Sequence, residues 1–348
     1  MKTQNAKSAL QKGLLLSSAL LIIIITVIGW LWDYEIAETS LSQLWKSTDQ
    51  VIFLCSMGLI SVAMPCVAMR WRALFPPPAD SEASPGHITG VLCAAFLFNF
   101  ALPGPIGEAI SAWMVHRKST ISLPAALASL GMSRILGLTS ACLIAGIVYW
   151  LAPFSIPQRW STVLFYAAIL LGSGAVMLVF VSLKPAILLR IIHYLLDTRV
   201  GQIKLLNRAL SVIENLFGAL VETATRGWRA YTLSLGWALA GHTMVAAGIY
   251  TATTSMGVDI AWSAVLFTYA ASIAGSVAMF LLPGSSLGWD LLFMSTLAIT
   301  GNIPVAVAAA VTAVVRIQQL LVAIAGGVFI WITAGAWLEE FSSAREGA

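Results

Sequence analysis

The chain has 348 residues, of which 59% are hydrophobic and only 10% charged, with a net charge of +4 and a mean hydropathy of +0.89. Soluble domains carry roughly 25% charged residues, so this composition excludes a water-soluble domain and places the chain in lipid. The small positive balance is what basic loops held on the cytoplasmic side produce, and it does not call for a nucleic acid partner.

In chain order, a basic N-terminal segment precedes an uncharged apolar run at 13–32, followed by acidic Asp33, Glu35 and Glu38 without a small-residue cleavage site. That pattern predicts a retained first span, not a signal peptide. A second span is expected at 51–69, since about 20 apolar residues cross a bilayer. The next apolar stretch, 88–106, runs into Asn99-Phe-Ala-Leu-Pro103-Gly104-Pro-Ile-Gly107-Glu108. Pro removes a helix donor and Gly favours bending, so the helix should break there. Broken backbone at membrane depth is tolerated only against protein or a water-filled cavity. A span at 121–151 follows, with Arg134 in its middle.

The second half begins with a span at 160–183 and then a charged segment whose apolar positions recur at helical spacing. That segment, 185–225, reads as amphipathic connector helices on the cytoplasmic surface. A span at 230–254 comes next, with His242 near its middle as a possible polar relay or a packed residue. The stretch 261–289 breaks at Leu282-Pro283-Gly284-Ser-Ser-Leu-Gly288-Trp-Asp290, and the last span, 303–337, carries Arg316 and Gln318-Gln319. Most of the 13 tryptophans, among them Trp71, Trp160 and Trp228, fall at predicted span ends and suggest an interfacial belt.

Lys and Arg choose the topology. If both broken segments are re-entrant hairpins, 88–116 and 261–300, then 15 of the 19 basic residues lie on the N-terminal side, and only Lys46 and Arg159 lie opposite. If both cross the membrane, in an arrangement of eight simple spans, the basic 184–229 region falls on the far side. The positive-inside rule favours hairpins with both termini cytoplasmic. The expected fold is therefore an all-α polytopic membrane protein forming a single membrane domain over 1–348. About six full spans and two re-entrant hairpins make an inverted-topology repeat, 13–152 and 160–338, and such repeats place sites near the midplane.

The acid-to-arginine interval repeats as well. Glu108 to Arg134 and Asp290 to Arg316 are both 26 positions. Helix rise puts each arginine ~15 to 18 Å past a proline at the start of its span, near the middle of a ~30 Å core. An arginine there should face an interior and counts as a functional candidate. Its planar guanidinium suits a phosphate, and the nearby carboxylates would balance it. The same four residues could instead be internal salt bridges that only hold the hairpins. Asn99 is expected to tie down the broken backbone, and Gln318 and Gln319 to bond between helices.

These residues resemble those of the lysylphosphatidylglycerol synthase membrane-region, or flippase-like, proteins. The Asn99-x-x-Leu-Pro-Gly-x-x-Gly-Glu108 stretch, Ser133-Arg134, Pro283-Gly284-x-x-x-Gly288 and Arg316 carry the resemblance over nearly the whole chain. The family's usual Gly-Gly pair and nearby Glu are replaced here by Gly284-Ser285 and Asp290. The resemblance implies translocation of a phospholipid or another phosphate-bearing amphiphile between leaflets of a bacterial cytoplasmic (inner) membrane. It does not imply synthesis, because the family's aminoacyl-transfer chemistry lies in a separate soluble domain that is not expected here.

No nucleophile with a paired base, no nucleotide-binding loop and no Cys or His cluster is evident, so no enzyme activity, cofactor or metal is expected. A transporter of a small soluble anion, or an accessory subunit of a lipid-modifying pathway, would share most of these features.

Overall fold

The computed structural model describes residues 46, 48–75, 83–101, 104–152, 226–276 and 285–346, with isolated positions between 162 and 194. The expected spans at 13–32 and 160–183, the connector helices at 185–225, and Pro103, Pro283 and Gly284 lie outside the described residues, those isolated positions apart.

Eight α-helices make up the described chain: α1 (Gln50–Arg72), α2 (Pro85–Ala101), α3 (Gly104–Arg117), α4 (Leu123–Leu151), α5 (Trp228–Ser255), α6 (Trp262–Ser276), α7 (Ser285–Thr300) and α8 (Val305–Glu346). α1, α4, α5 and the Val305–Phe329 part of α8 are each long and apolar enough to cross a membrane. They fall at the expected spans 51–69, 121–151, 230–254 and 303–337. Backbone groups in lipid must find partners within the protein, and the helix ends do so. The Asp49 carboxylate accepts from the Val51 and Ile52 amides at 2.9 and 3.1 Å, capping α1. α5 ends in a Schellman turn, with Gly257 at φ 71° and the Val258 amide donating to the Thr253 carbonyl at 3.0 Å.

Both broken segments are pairs of antiparallel helices. Near the first turn Gly107 of α3 lies against Ala95 and Asn99 of α2, while at the open end His87 lies beside Met114 and Lys118. In the second pair Gly275 meets Leu292 toward the turn, and the Thr268 and Thr300 hydroxyls are 2.9 Å apart at the open end.

α1 and α5 pack antiparallel along their lengths. The Asp49 amide donates to the Ser255 carbonyl at one end (2.8 Å), and the Ser234 hydroxyl donates to the Arg70 carbonyl at the other (3.0 Å). Gly248 permits the approach, since a Cβ there would stand 2.5 Å from Ile60 Cγ1. Around this pair α2 packs on α8 and α6 on α4, α1 touches α2 as α5 touches α6, and α4 touches α5 as α8 touches α1. Apart from an α2–α7 contact, exchanging the first four helices for the last four reproduces the packing scheme.

Trp71 departs from the sequence expectation. It is fully buried, donates from Nε1 to the Ser129 hydroxyl at 3.0 Å and meets Phe75 edge-on. Tertiary packing of the α1 end under α4 takes it out of the interfacial belt, whereas Trp228 is exposed.

Candidate functional site

The first charged pair stands where α2 and α3 meet closely. Asn99 lays its side chain over the bare Cα of Gly107, where a Cβ would overlap the carboxamide and come within 2.9 Å of the Ala95 carbonyl oxygen. This close approach is why glycine precedes Glu108, and it fixes where the acid projects. Glu108 forms an ion pair with Arg134 of α4; the arginine side chain is 46% exposed and the acid largely buried. Gly107→Ala is expected to push α3 off α2, lowering the Tm of the detergent-solubilised protein by several degrees, whereas Gly131→Ala, with nothing within 4 Å of its added methyl, should leave it unchanged. Equal Tm values for the two would overturn this account of Gly107.

The second pair has the same topology. Asp290 on α7 accepts from Nε of Arg316 on α8, so each acid pairs with the arginine 26 positions on. One register shift carries Glu108 onto Asp290, Arg134 onto Arg316 and the first residue of α4 onto that of α8. The surroundings nevertheless differ. Arg316 also donates from Nη1 to Gln319 Oε1 at 2.9 Å and lies 4.2 Å from the centre of the Trp289 ring, which is itself stacked on Phe293. Gly288, buried just before Trp289, adds no side chain to this packing, and Arg316 is 15% exposed.

Depth can be read along α5. His242, its fifteenth of 28 residues, reaches the Gly137 carbonyl at 2.9 Å, one turn beyond Arg134 on α4. Gln318 donates to the Ser56 hydroxyl at 3.0 Å, and that hydroxyl donates to the Gly248 carbonyl at 2.8 Å. The two markers are six residues apart on α5, on the order of 9 Å along its axis; Arg134 stands one turn from the first and Arg316 two residues from the second.

His242 is a brace between helices. The Gly137 carbonyl can only accept, so Nε2 carries the proton and Nδ1 accepts from the Tyr269 hydroxyl at 3.3 Å. Both nitrogens of the neutral ring are thereby engaged. Gln318 bonds between α8 and α1 as expected, whereas Gln319 turns back to Arg316 on its own helix.

Arg70 is the residue that sequence reasoning misplaced. Counted among the loop cations of the N-terminal side, it is instead 5% exposed inside the bundle and donates from Nε to the Ser133 hydroxyl at 2.9 Å. Its guanidinium lies against Gly137, where a Cβ would come 2.9 Å from Cζ, and within electrostatic reach of Arg134, Glu108 and Tyr269. Nothing local distinguishes Arg70 from its neighbour Arg72. The only signal lay on another helix, in Ser133 and Gly137.

Two antiparallel helical hairpins, each presenting a carboxylate to an arginine of the next long helix, define a multi-pass helical membrane protein with two equivalent charged pairs inside it. The family model for the lysylphosphatidylglycerol synthase transmembrane region matches residues 13–327, and the chain belongs to that family. No curated protein and no solved structure matches the chain.

Proposed function

We propose that this protein is a non-enzymatic lipid translocase of a bacterial inner membrane, with both termini cytoplasmic, that moves a phosphate-bearing lipid between leaflets. The observation that carries the reading is the duplicated pair Glu108–Arg134 and Asp290–Arg316, in which an acid of each hairpin pairs with the arginine 26 positions on. Arginines within membrane-spanning helices are costly unless an anion or carboxylate attends them. A phosphate can replace a carboxylate on a guanidinium with the same two-oxygen geometry. The antiparallel arms and the interchangeable packing scheme support re-entrant hairpins in an inverted repeat, entering from opposite faces. In this mechanism the head group passes from one acid–arginine pair to the other, while the acyl chains stay in lipid. Arg134 and Arg316 bind the phosphate, and Glu108 and Asp290 hold each arginine when the head group has left it.

The test is reconstitution of the full chain into phosphatidylcholine vesicles containing fluorophore-labelled phosphatidylglycerol, with outer-leaflet label quenched chemically. Faster loss of inner-leaflet label than in protein-free vesicles, absent for labelled diacylglycerol, is expected. Rates equal to protein-free vesicles would overturn the translocase reading. Uptake of radioactive phosphate without lipid movement would instead favour a soluble-anion transporter.

A further inference from the structure

We infer that Arg70 and Arg134, joined through Ser133, form an oxyanion site for a phosphate group, and that this first-half pole is the one poised to receive it. The inference deepens the translocase reading, on which it rests.

Three arginines of the long helices carry guanidiniums that the protein treats differently. Arg316 is satisfied by Asp290, Gln319 and the face of Trp289. Arg134 has Glu108 and is nearly half exposed. Arg70 is almost wholly buried, yet its hydrogen-bond partner among the described residues is a neutral hydroxyl, and no described carboxylate pairs with it. Its partner Ser133 directly precedes Arg134 on α4, and among the described residues the acid that acts on it, Glu108, is already paired with that arginine. Two cations thus share a single anion. Burying a guanidinium without a counter-charge is costly. An oxyanion held between two planar forks relieves both the burial and the mutual repulsion.

The surroundings are shaped for this arrangement. Gly137 lets the Arg70 guanidinium approach α4 closely, and Ser133 holds its Nε side. The adjoining His242 and Tyr269 bond to each other and are neutral, so they add no competing charge. The ligand class that fits is a singly charged tetrahedral oxyanion, whether the phosphodiester of a lipid head group or free phosphate.

The two sources are separated by titrating the purified full chain in mild detergent with dihexanoyl phosphatidylglycerol and, separately, with inorganic phosphate, following tryptophan fluorescence. Dihexanoyl glycerol serves as the phosphate-free control. Arg70→Gln is expected to weaken phosphatidylglycerol binding about ten- to hundred-fold, the loss of a charge-assisted contact, while Arg70→Lys recovers part of it. A matching loss for inorganic phosphate supports the same site with a soluble source. Should Arg70→Gln fail to fold, Gly137→Ala keeps every charge but displaces the guanidinium, and about tenfold weakening is expected. Unchanged binding in the Arg70→Gln or Gly137→Ala protein, or equal binding of the phosphate-free control, overturns the site. Failure of the wild type to bind either phosphate probe also overturns it. The vesicle assay decides the translocase reading separately, since transport that needs Arg316 but not Arg70 would sink this site alone.

Discussion

Arg316→Ala should reduce lipid transport in reconstituted vesicles by at least about 100-fold, with the protein still inserted in the membrane. The guanidinium engages Asp290 and Gln319 by hydrogen bonds and Trp289 by its face, so it is rigidly aimed. A phosphate taking over two charge-assisted bonds, each worth about 1.5–3 kcal/mol, would lose that factor or more when the side chain is cut back. The single substitution also strands Asp290, and breaking a buried pair costs about 3–5 kcal/mol of stability. The decisive comparison is therefore the double variant Asp290→Asn, Arg316→Gln, which keeps shape and hydrogen-bonding capacity while removing both charges. If the pair only holds the hairpin, the double variant should transport at the wild-type rate. If Arg316 binds phosphate, transport should fall as far as in the single variant while the Tm returns toward that of the wild type. Wild-type transport in both variants would end the proposed mechanism.

Gly326→Leu should give the largest loss of folded protein among glycine substitutions. α8 crosses α2 at Gly326 and Gly327, where Cys93 and Leu97 lie directly on the backbone, and a Cβ on Gly326 would overlap Cys93 Cβ and Sγ. A rotamer change can move a sulfur but not a Cβ, so relief requires the two helices to separate. Overpacking of this kind costs typically 1–3 kcal/mol and more when backbone must shift. Because α2 is one arm of the hairpin that carries Glu108, separation there also loosens the first charged pair. Gly146→Leu is the control, since nothing lies within 4 Å of an added methyl at that position. Size-exclusion profiles and Tm in detergent should show the Gly326 variant aggregated or strongly destabilised and the Gly146 variant normal. A well-behaved Gly326→Leu protein would mean that α2 and α8 do not meet so closely.

Much of this arrangement is legible in one dimension. Apolar run length places α1, α4, α5 and α8 within a few residues, because crossing a bilayer is a requirement on a single segment. The repeated interval that pairs Glu108 with Arg134 and Asp290 with Arg316 can be read from the same strand of text, whereas Pro103 and Pro283-Gly284, where the sequence predicts breaks, lie outside the described residues. A hairpin and the helix that follows it are neighbours in sequence, so spacing within them carries over to space.

Contacts between distant segments were not legible. Sequence placed Arg70 among loop cations and Trp71 in an interfacial belt. The antiparallel seating of α1 against α5, and of its C-terminal end under α4, put both side chains inside, on Ser133 and Ser129. The same holds for the inequality of the two arginines. Motif spacing presents them as equivalents, yet the aromatic face of Trp289 and the Gln319 amide close around Arg316, while Arg134 stays half open beside Arg70. The sequence by itself determined the membrane class, the long apolar helices and the two acid–arginine pairs, because bilayer thickness and helix rise act on each segment alone. Only the tertiary structure decided which cations are buried and how each is compensated, because burial and charge compensation depend on which helices pack together.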